Sequence, residues 1–259
     1  MRVCMLTFSL YGYAAALASA LGRLVDLDFF CSEYHVNDED PAVLDQLEGI
    51  CNVRRFSYGR FRDPRNAARA RAIGVAIRDG GYDLVHLQEY TDPWMAAAWW
   101  AARHLPLVLT VHDPYQHPGI PGLRSLYQDA MQGFYIRRAS RYIVLGEAVK
   151  AALVQRYSHV DASHVFVTGI GLSSRPAEVA PPPGGTRKIL FFGQVRRNKG
   201  LDVLIAAERL IRKRVADYEI VVAGVCDEPV YYQNLLDADA PVRMVNRFIP
   251  DTDVPRYFQ

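Results

Sequence analysis

The sequence lacks a long hydrophobic run, a metal-binding cysteine pattern and a marked excess of either charge. Its richest apolar stretch, residues 94–111, is interrupted by Arg103 and His104 and so falls short of the ~18 uncharged apolar residues that a membrane span requires. With 30 Lys+Arg against 28 Asp+Glu, the formal net charge is only +2, and no basic run has the interleaved aromatics typical of nucleic-acid binding. We therefore expect a globular protein with no transmembrane segment and no nucleic-acid partner.

The four cysteines are far apart and show neither CxxC nor Cys/His spacing, which disfavours a zinc site. Near the start, Arg2, an apolar stretch and Ala-Ser-Ala at 18–20 also fit a signal peptide with its cleavage site. Ser9, Gly12 and two tyrosines interrupt that stretch, so we favour a helix there. Both observations predict a cytoplasmic protein with reduced cysteines.

Short apolar runs alternate with segments of helical periodicity along most of the chain. The apolar runs predict strands at residues 3–8, 27–31, 83–87, 107–111, 142–145 and 165–167. Apolar residues at three- and four-residue steps predict helices at residues 14–25, 65–78, 94–104 and 123–134. Strands that alternate with helices in this way predict a parallel sheet covered on both faces.

A stretch rich in Pro, Gly and Ser at residues 173–187 predicts a linker, after which the alternation restarts. Strands are predicted at 188–192, 218–223 and 242–245, with helices at 201–214 and 230–236. The fold class is therefore α/β, with two Rossmann-like doubly wound domains at residues 1–172 and 188–259. We expect the second to be incomplete, because the 72 residues after Arg187 (259 minus 187) are fewer than the ~100 such a domain usually needs.

The strongest functional signal is a glycine-containing basic loop that follows the strand at 188–192. Gly193 opens the loop, and its cationic side chains are Arg196, Arg197 and Lys199. In an open parallel sheet, ligands bind where strands end, and a helix N-terminus with free N–H groups favours an anion. This pattern suits a diphosphate that gains negative charge as it leaves. The competing interpretation is an ordinary basic surface loop.

Three segments of the second domain resemble the donor domain of glycosyltransferase family 4. They are Ile-Leu-Phe-Phe-Gly at 189–193, Lys-Gly-Leu-Asp-Val-Leu-Ile at 199–205 and Ile-Val-Val-Ala-Gly at 220–224. The resemblance implies a GT-B enzyme of hexosyltransferase type that moves a sugar from a nucleotide-diphosphate donor to an acceptor hydroxyl. It further implies retention of configuration and no metal or other cofactor. Lys199 is then expected to contact the donor diphosphate. The family commonly has arginine directly after the strand glycine; here Gln194 stands there, and Arg196 is the candidate to supply the charge.

The first domain carries a similar resemblance at residues 109–114, with His117, Pro118 and Gly119 close behind. These residues look like the strand-end histidine motif of the family, which implies that His112 is the catalytic candidate beside the transferred sugar. Because His112 follows a buried strand, we expect its ring at the carboxyl edge of the sheet, facing the interdomain cleft. His112, Asp113 and His117 also form a competing metal trio by ligand type, although we expect no metal.

Further candidates in the first domain are weaker. The turn at 9–13 takes the place of the family's glycine-rich phosphate loop, of which only Gly12 is present. Asp113, Glu89 and His117 are candidates for contacts to the acceptor or the sugar. His86 is interpreted as a core histidine with its hydrogen bonds satisfied.

The acidic motif with two glutamates that family members carry further along is not found in this sequence. We therefore expect a C-terminally truncated member, whose activity as this chain alone stays open. The alternative is a non-catalytic or split-enzyme binding module that needs a partner chain to complete the donor site. An NAD-dependent oxidoreductase is disfavoured, because no G-x-G-x-x-G turn follows a predicted strand. The expected partners are a nucleotide-sugar donor and a carbohydrate or lipid-linked acceptor; peripheral membrane contact is left open.

Overall fold

The chain folds into two compact units, residues 1–174 and 175–259. The structure, a computed structural model, describes residues 1–8, 11–33, 47, 49–58, 62–88, 92–115, 122–169, 187–250 and 253–258. Within these ranges, every helix is too short or too polar to traverse a bilayer. The predicted linker at 173–187 lies outside the described residues except for Arg187, which is the first residue of a strand rather than part of a linker.

The first unit contains a seven-stranded parallel sheet with the strand order β3-β2-β1-β4-β5-β6-β7. Its strands are β1 (Arg2–Thr7), β2 (Asp26–Ser32), β3 (Asn52–Phe56), β4 (Leu84–Leu87), β5 (Leu107–Val111), β6 (Arg141–Val144) and β7 (Val165–Val167). Its helices are α1 (Tyr11–Leu21), α2 (Asn66–Arg78), α3 (Pro93–Ala101), α4 (Gly122–Ile136) and α5 (Glu147–Arg156).

Alternation of side chains along β1 shows why both faces of this sheet are covered. Val3 and Met5 point into one core, which they share with the alanines of α1. Cys4 and Leu6 point to the other face, where residues of α2 and α3 bury them. Successive side chains of a strand leave on opposite faces, so an apolar run without alternation requires cover on both. The predicted helix-covered parallel sheet is confirmed.

The second unit repeats this architecture on a smaller scale. Its strands β8 (Arg187–Phe192), β9 (Tyr218–Ala223) and β10 (Val242–Val245) form a parallel sheet in the order β10-β9-β8. Its helices are α6 (Leu201–Ile211), α7 (Pro229–Gln233) and α8 (Val254–Tyr257). Leu201 and Ile205 of α6 pack against Ile220 and Val222 of β9 in a separate core.

Two elements of the first unit differ from the prediction, which assigned neither. Strand β3 has a largely exposed burial pattern, since it lies at the edge of the sheet and its arginines reach solvent. Helix α5 buries only Leu153 among its residues, so its sequence has no apolar stripe to reveal it. Four predicted helices of the chain also end early, at Leu21, Ala101, Ile211 and Gln233.

A glycine follows each of the strands β8 and β9, and the backbones of these two glycines touch. Gly193 (φ 108°) and Gly224 (φ 143°) both have a positive φ, a backbone conformation that residues other than glycine rarely adopt. A Cβ placed on Gly224 would lie 2.0 Å from the carbonyl oxygen of Gly193, whereas a Cβ on Gly193 would have no atom within 4 Å. Gly193 N also donates to Ala223 O at 2.9 Å.

Substitution G224A should therefore destabilise the second unit more than G193A. Backbone strain alone costs about 1–3 kcal/mol, and G224A adds a clash with main chain that cannot move aside. Hydrogen exchange of the β8 and β9 amides is the suitable measurement, because all three tryptophans lie in α3 of the first unit. Equal loss of amide protection in the two variants would show that the close contact is unimportant.

Candidate functional site

The carboxyl ends of β1, β4 and β5 lie side by side in the first unit. The strand order reverses between β1 and β4, because β2 pairs with one side of β1 and β4 with the other. Helices that follow strands on the two sides of such a point lie on opposite faces, which opens a crevice for a ligand. The residues that follow these three strands therefore form the candidate site of the first unit.

His112 lies at this edge, directly after β5, as the sequence predicted for its strand position. Its half-buried ring meets the ring of Tyr13 edge-on, with centroids 5.2 Å apart and an interplanar angle of 78°. Burial raises the pKa of the Tyr13 hydroxyl above its ordinary value of 10, so this hydroxyl stays protonated at neutral pH. Sequence reasoning did not assign Tyr13 a role, although it lies within the turn predicted at 9–13.

Gly12 is in the first turn of α1 and not in a turn that precedes the helix, so that prediction was wrong. Alanine has the highest helix propensity of any residue type, so the run Ala14-Ala15-Ala16 favours extension of α1 toward the N-terminus. Gly12 still contributes a backbone N–H of the first turn, where N–H groups have no partner inside the helix. Ser9 and Leu10 lie outside the described residues.

Asp113 stabilises the chain where it leaves β5. Its Oδ1 accepts a hydrogen bond from Tyr115 N at 2.8 Å, and its carbonyl accepts one from Gln132 Nε2 at 2.8 Å. Gln132 is fully buried in α4, so its hydrogen bond ties α4 to the loop that follows β5. Glu89 and His117 lie outside the described residues. The described residues contain no group of three or more potential metal ligands, and the trio that includes His117 is not covered by this observation.

A buried polar chain lies beside the ends of β4 and β5. His86 Nε2 is 2.9 Å from Thr110 Oγ1 and 2.9 Å from Gln88 Nε2. Burial lowers the pKa of His86 to about 4, so the imidazole is neutral at pH 7 and accepts from the Gln88 amide. This geometry agrees with a core histidine whose Nε2 is hydrogen-bonded.

In the second unit, the loop between β8 and α6 is built on main-chain contacts. Val195 forms an isolated parallel bridge with Cys226, so the loop continues the sheet beyond the last residue of β8. A 3-10 turn at Arg197–Lys199 follows, and Gly200 (φ 78°) then begins α6 in the left-handed region. No side chain caps the N-terminus of α6, which leaves its first N–H groups available to an anion.

The basic side chains of this loop are not equivalent. Arg196 Nε lies 3.3 Å from Asp227 Oδ2, and Arg197 makes a two-point contact with Glu228 and stacks over Tyr231 at 4.2 Å. The exposed Lys199, by contrast, has no acidic partner in the part of the chain that the structure describes. Two of the three predicted cationic side chains, Arg196 and Arg197, therefore have an acidic partner.

Comparison with known proteins places these features in context. A family model described as Glycosyltransferase Family 4 matches residues 12–174, which is more than half of the chain. The chain is 26% identical over 236 residues to a D-inositol 3-phosphate glycosyltransferase of Arthrobacter sp. (strain FB24). That match covers 81% of this chain and 55% of the relative, so the chain spans about half the length of the curated protein.

Solved structures show the same fold. HepE of Anabaena, solved in complex with UDP and glucose, superposes with a TM-score of 0.63 at 16% identity, over 99% of this chain and 71% of that protein. A UDP-GlcNAc 2-epimerase of Neisseria meningitidis, solved with UDP-GlcNAc, gives a TM-score of 0.59 at 14% identity, over 100% and 74%. The predicted GT-B fold class of two Rossmann-like units is confirmed.

The buried His86 should make the stability of the first unit depend on pH. Its pKa is about 4 in the folded chain against 6.5 ordinarily, so below pH 6.5 the unfolded chain binds a proton that the folded chain does not. Stability is therefore lost as the pH falls from about 6.5, by about 2 kcal/mol at pH 5. H86Q should remove this loss in urea unfolding followed by tryptophan fluorescence. The matched control is H159Q at an exposed position, and equal effects of the two substitutions would contradict the assignment.

Proposed function

The chain belongs to Glycosyltransferase Family 4, and from this membership we propose that it transfers a sugar from a nucleotide-diphosphate donor to an acceptor hydroxyl. The family match over residues 12–174 is the observation that carries the proposal, and the Arthrobacter relative supports it. The fold alone does not select this reaction, because the structures that share it include both a protein bound to UDP and glucose and an epimerase.

The loop between β8 and α6 is the proposed contact for the donor diphosphate. Gly193 lets main chain approach a ligand closely, and the open N-terminus of α6 offers N–H donors. Lys199 provides the charge, since a leaving diphosphate gains negative charge as the glycosidic bond to it breaks. Arg196 is a secondary contact because Asp227 already holds it. In the first unit, the backbone N–H of Gly12 in α1 is a further candidate contact for phosphate, proposed from the family resemblance alone.

His112 is the proposed catalytic residue beside the sugar. Its position after β5 and its edge-on contact with Tyr13 hold the imidazole at the carboxyl edge of the sheet. An imidazole in this place can bind sugar hydroxyls and orient the anomeric carbon toward the acceptor. The acceptor would approach from the loops of the first unit, with Asp113, Glu89 and His117 as candidate contacts.

Retention of configuration and independence from metal ions are proposed from family membership alone. Proton NMR of the purified glycoside product would identify its anomeric configuration, and the same configuration as in the donor sugar would support retention. Activity that survives chelation by EDTA would support the metal-independent reaction, and activity restored only by added divalent cation would contradict it.

The overall proposal is tested by incubating the protein with UDP-, GDP- and ADP-sugars and a panel of hydroxyl acceptors, then detecting products by mass spectrometry. The name of the Arthrobacter relative makes inositol phosphate the first acceptor to try. Transfer from one donor class supports the enzyme. Binding of a nucleoside diphosphate without transfer from any donor would favour the alternative, a binding module that requires a partner chain.

Replacement of Lys199 should weaken diphosphate binding specifically. A charge-assisted contact contributes about 1.5–3 kcal/mol, so K199Q should raise the Kd for the preferred nucleoside diphosphate about tenfold or more in calorimetry. The control is K213Q, which removes another exposed lysine just after α6. If K199Q and K213Q bind the ligand equally well, Lys199 is not a donor contact.

Replacement of His112 should separate catalysis from donor binding. H112N keeps a polar side chain but loses the imidazole, and kcat should fall by roughly tenfold to a hundredfold with little change in the Kd of the nucleoside diphosphate. Steady-state kinetics and calorimetry on the same preparation provide both quantities. A parallel loss of binding would instead make His112 a structural residue of the site.

A further inference from the structure

A cavity of about 980 Å³ lies at the edge of the first sheet that is opposite to His112. Its lining residues come from the end of α2, the end of α3 with the following turn, and the segment between α4 and β6. These segments precede β5 and β6, whereas His112 follows β5, so the cavity belongs to the amino edge of the sheet. Its charged, imidazole and aromatic lining consists of Arg78, Trp99, Trp100, Arg103, His104 and Arg138, and Ser140 adds a hydroxyl.

Two guanidinium groups supply most of the free charge of this cavity. Arg103 Nη1 donates to Trp100 O at 3.0 Å, and Arg138 Nη1 donates to Phe134 O at 3.2 Å. Within the described ranges, neither has a carboxylate partner, while Arg78 is paired with Asp79 at 2.7 Å. Capping of helix carbonyls uses one nitrogen of each group, so the remaining N–H donors of Arg103 and Arg138 are open to a ligand.

Two adjacent tryptophans complete the cavity. Trp100 is 44% exposed, and the guanidinium carbons of Arg103 and Arg138 lie 5.1 and 5.4 Å from its ring centroid. Trp99 is only 3% exposed, and its Nε1 has no hydrogen-bond partner among the residues that the structure describes. An indole N–H can only donate, and a buried donor without an acceptor is destabilising. The hydrogen bonds of Arg103 and Arg138 to helix carbonyls leave this Trp99 N–H without an acceptor in the described part of the chain.

The lining thus offers N–H donors and positive charge but contains no carboxylate. We propose that this cavity binds the oxyanion of a phosphate ester, held by Arg103 and Arg138 and accepting a hydrogen bond from Trp99 Nε1. Guanidinium groups match the oxygens of a phosphate by their fork geometry, and cation–π contacts with the Trp100 ring hold both groups beside the cavity. The cavity shares no residue with the proposed donor contacts, and its proposed ligand does not depend on the proposed reaction.

The test follows the indole N–H resonance of Trp99 by NMR while sn-glycerol 3-phosphate or inorganic phosphate is added. A saturable shift with phosphate, and none with glycerol, is the expected result. R103Q/R138Q should weaken phosphate binding by at least about tenfold, because each substitution removes a charged hydrogen-bond donor to the phosphate. R23Q/K213Q, which removes two exposed charges elsewhere, should bind as the unchanged protein does.

Co-sedimentation with phosphatidylglycerol and phosphatidylcholine vesicles distinguishes a soluble ester from a lipid headgroup. Selective binding to phosphatidylglycerol that R103Q/R138Q abolishes and R23Q/K213Q retains would identify a headgroup as the source, even if soluble esters bind weakly. The proposal is overturned if no probe shifts the Trp99 resonance or selects anionic vesicles. It is equally overturned if the two double variants lose binding to the same extent, since binding would then reflect net charge.

Discussion

The arrangement of the first unit depends on the pairing of β1, which hydrogen-bonds to β2 on one side and to β4 on the other, both in parallel. This pairing makes the strand order reverse at the centre of the sheet. The helix that follows β1 and the loops that follow β4 and β5 then diverge around a common edge. His112 and Tyr13, from segments far apart in sequence, meet there because of that reversal.

Much of this fold is visible in the sequence, because buried parallel strands are short apolar runs. Strand β5 begins and ends at Leu107 and Val111 as predicted, and β9 likewise runs from Tyr218 to Ala223. Strand β3 escapes prediction because its position depends on long-range contacts. Arg54 in β3 donates to the buried Asp28 of the neighbouring strand at 2.7 Å. Burial alone would raise the pKa of Asp28, yet hydrogen bonds from Tyr82, Asn52 and Arg54 lower it.

The candidate site is predictable in its positions and less so in its electrostatics. Strand ends and glycine turns located Gly193, Lys199 and His112 correctly as residues that follow strands. The sequence around Arg196 and Arg197 shows only positive charge, because the acids that offset it, Asp227 and Glu228, belong to the loop after the next strand. Local composition therefore overstates the positive charge that a ligand meets at this loop. The pairing of β8 with β9 brings the two acids beside the arginines and so lowers that charge.

The contact between Gly193 and Gly224 has a mechanical consequence. Main chain packs directly against main chain there, so the loops that follow β8 and β9 are coupled to each other. Asn246 joins the same group of contacts, because its Oδ1 accepts a hydrogen bond from Cys226 N at 2.8 Å. The backbone that leads to Lys199 is thus connected, through these contacts, to a side chain that follows β10.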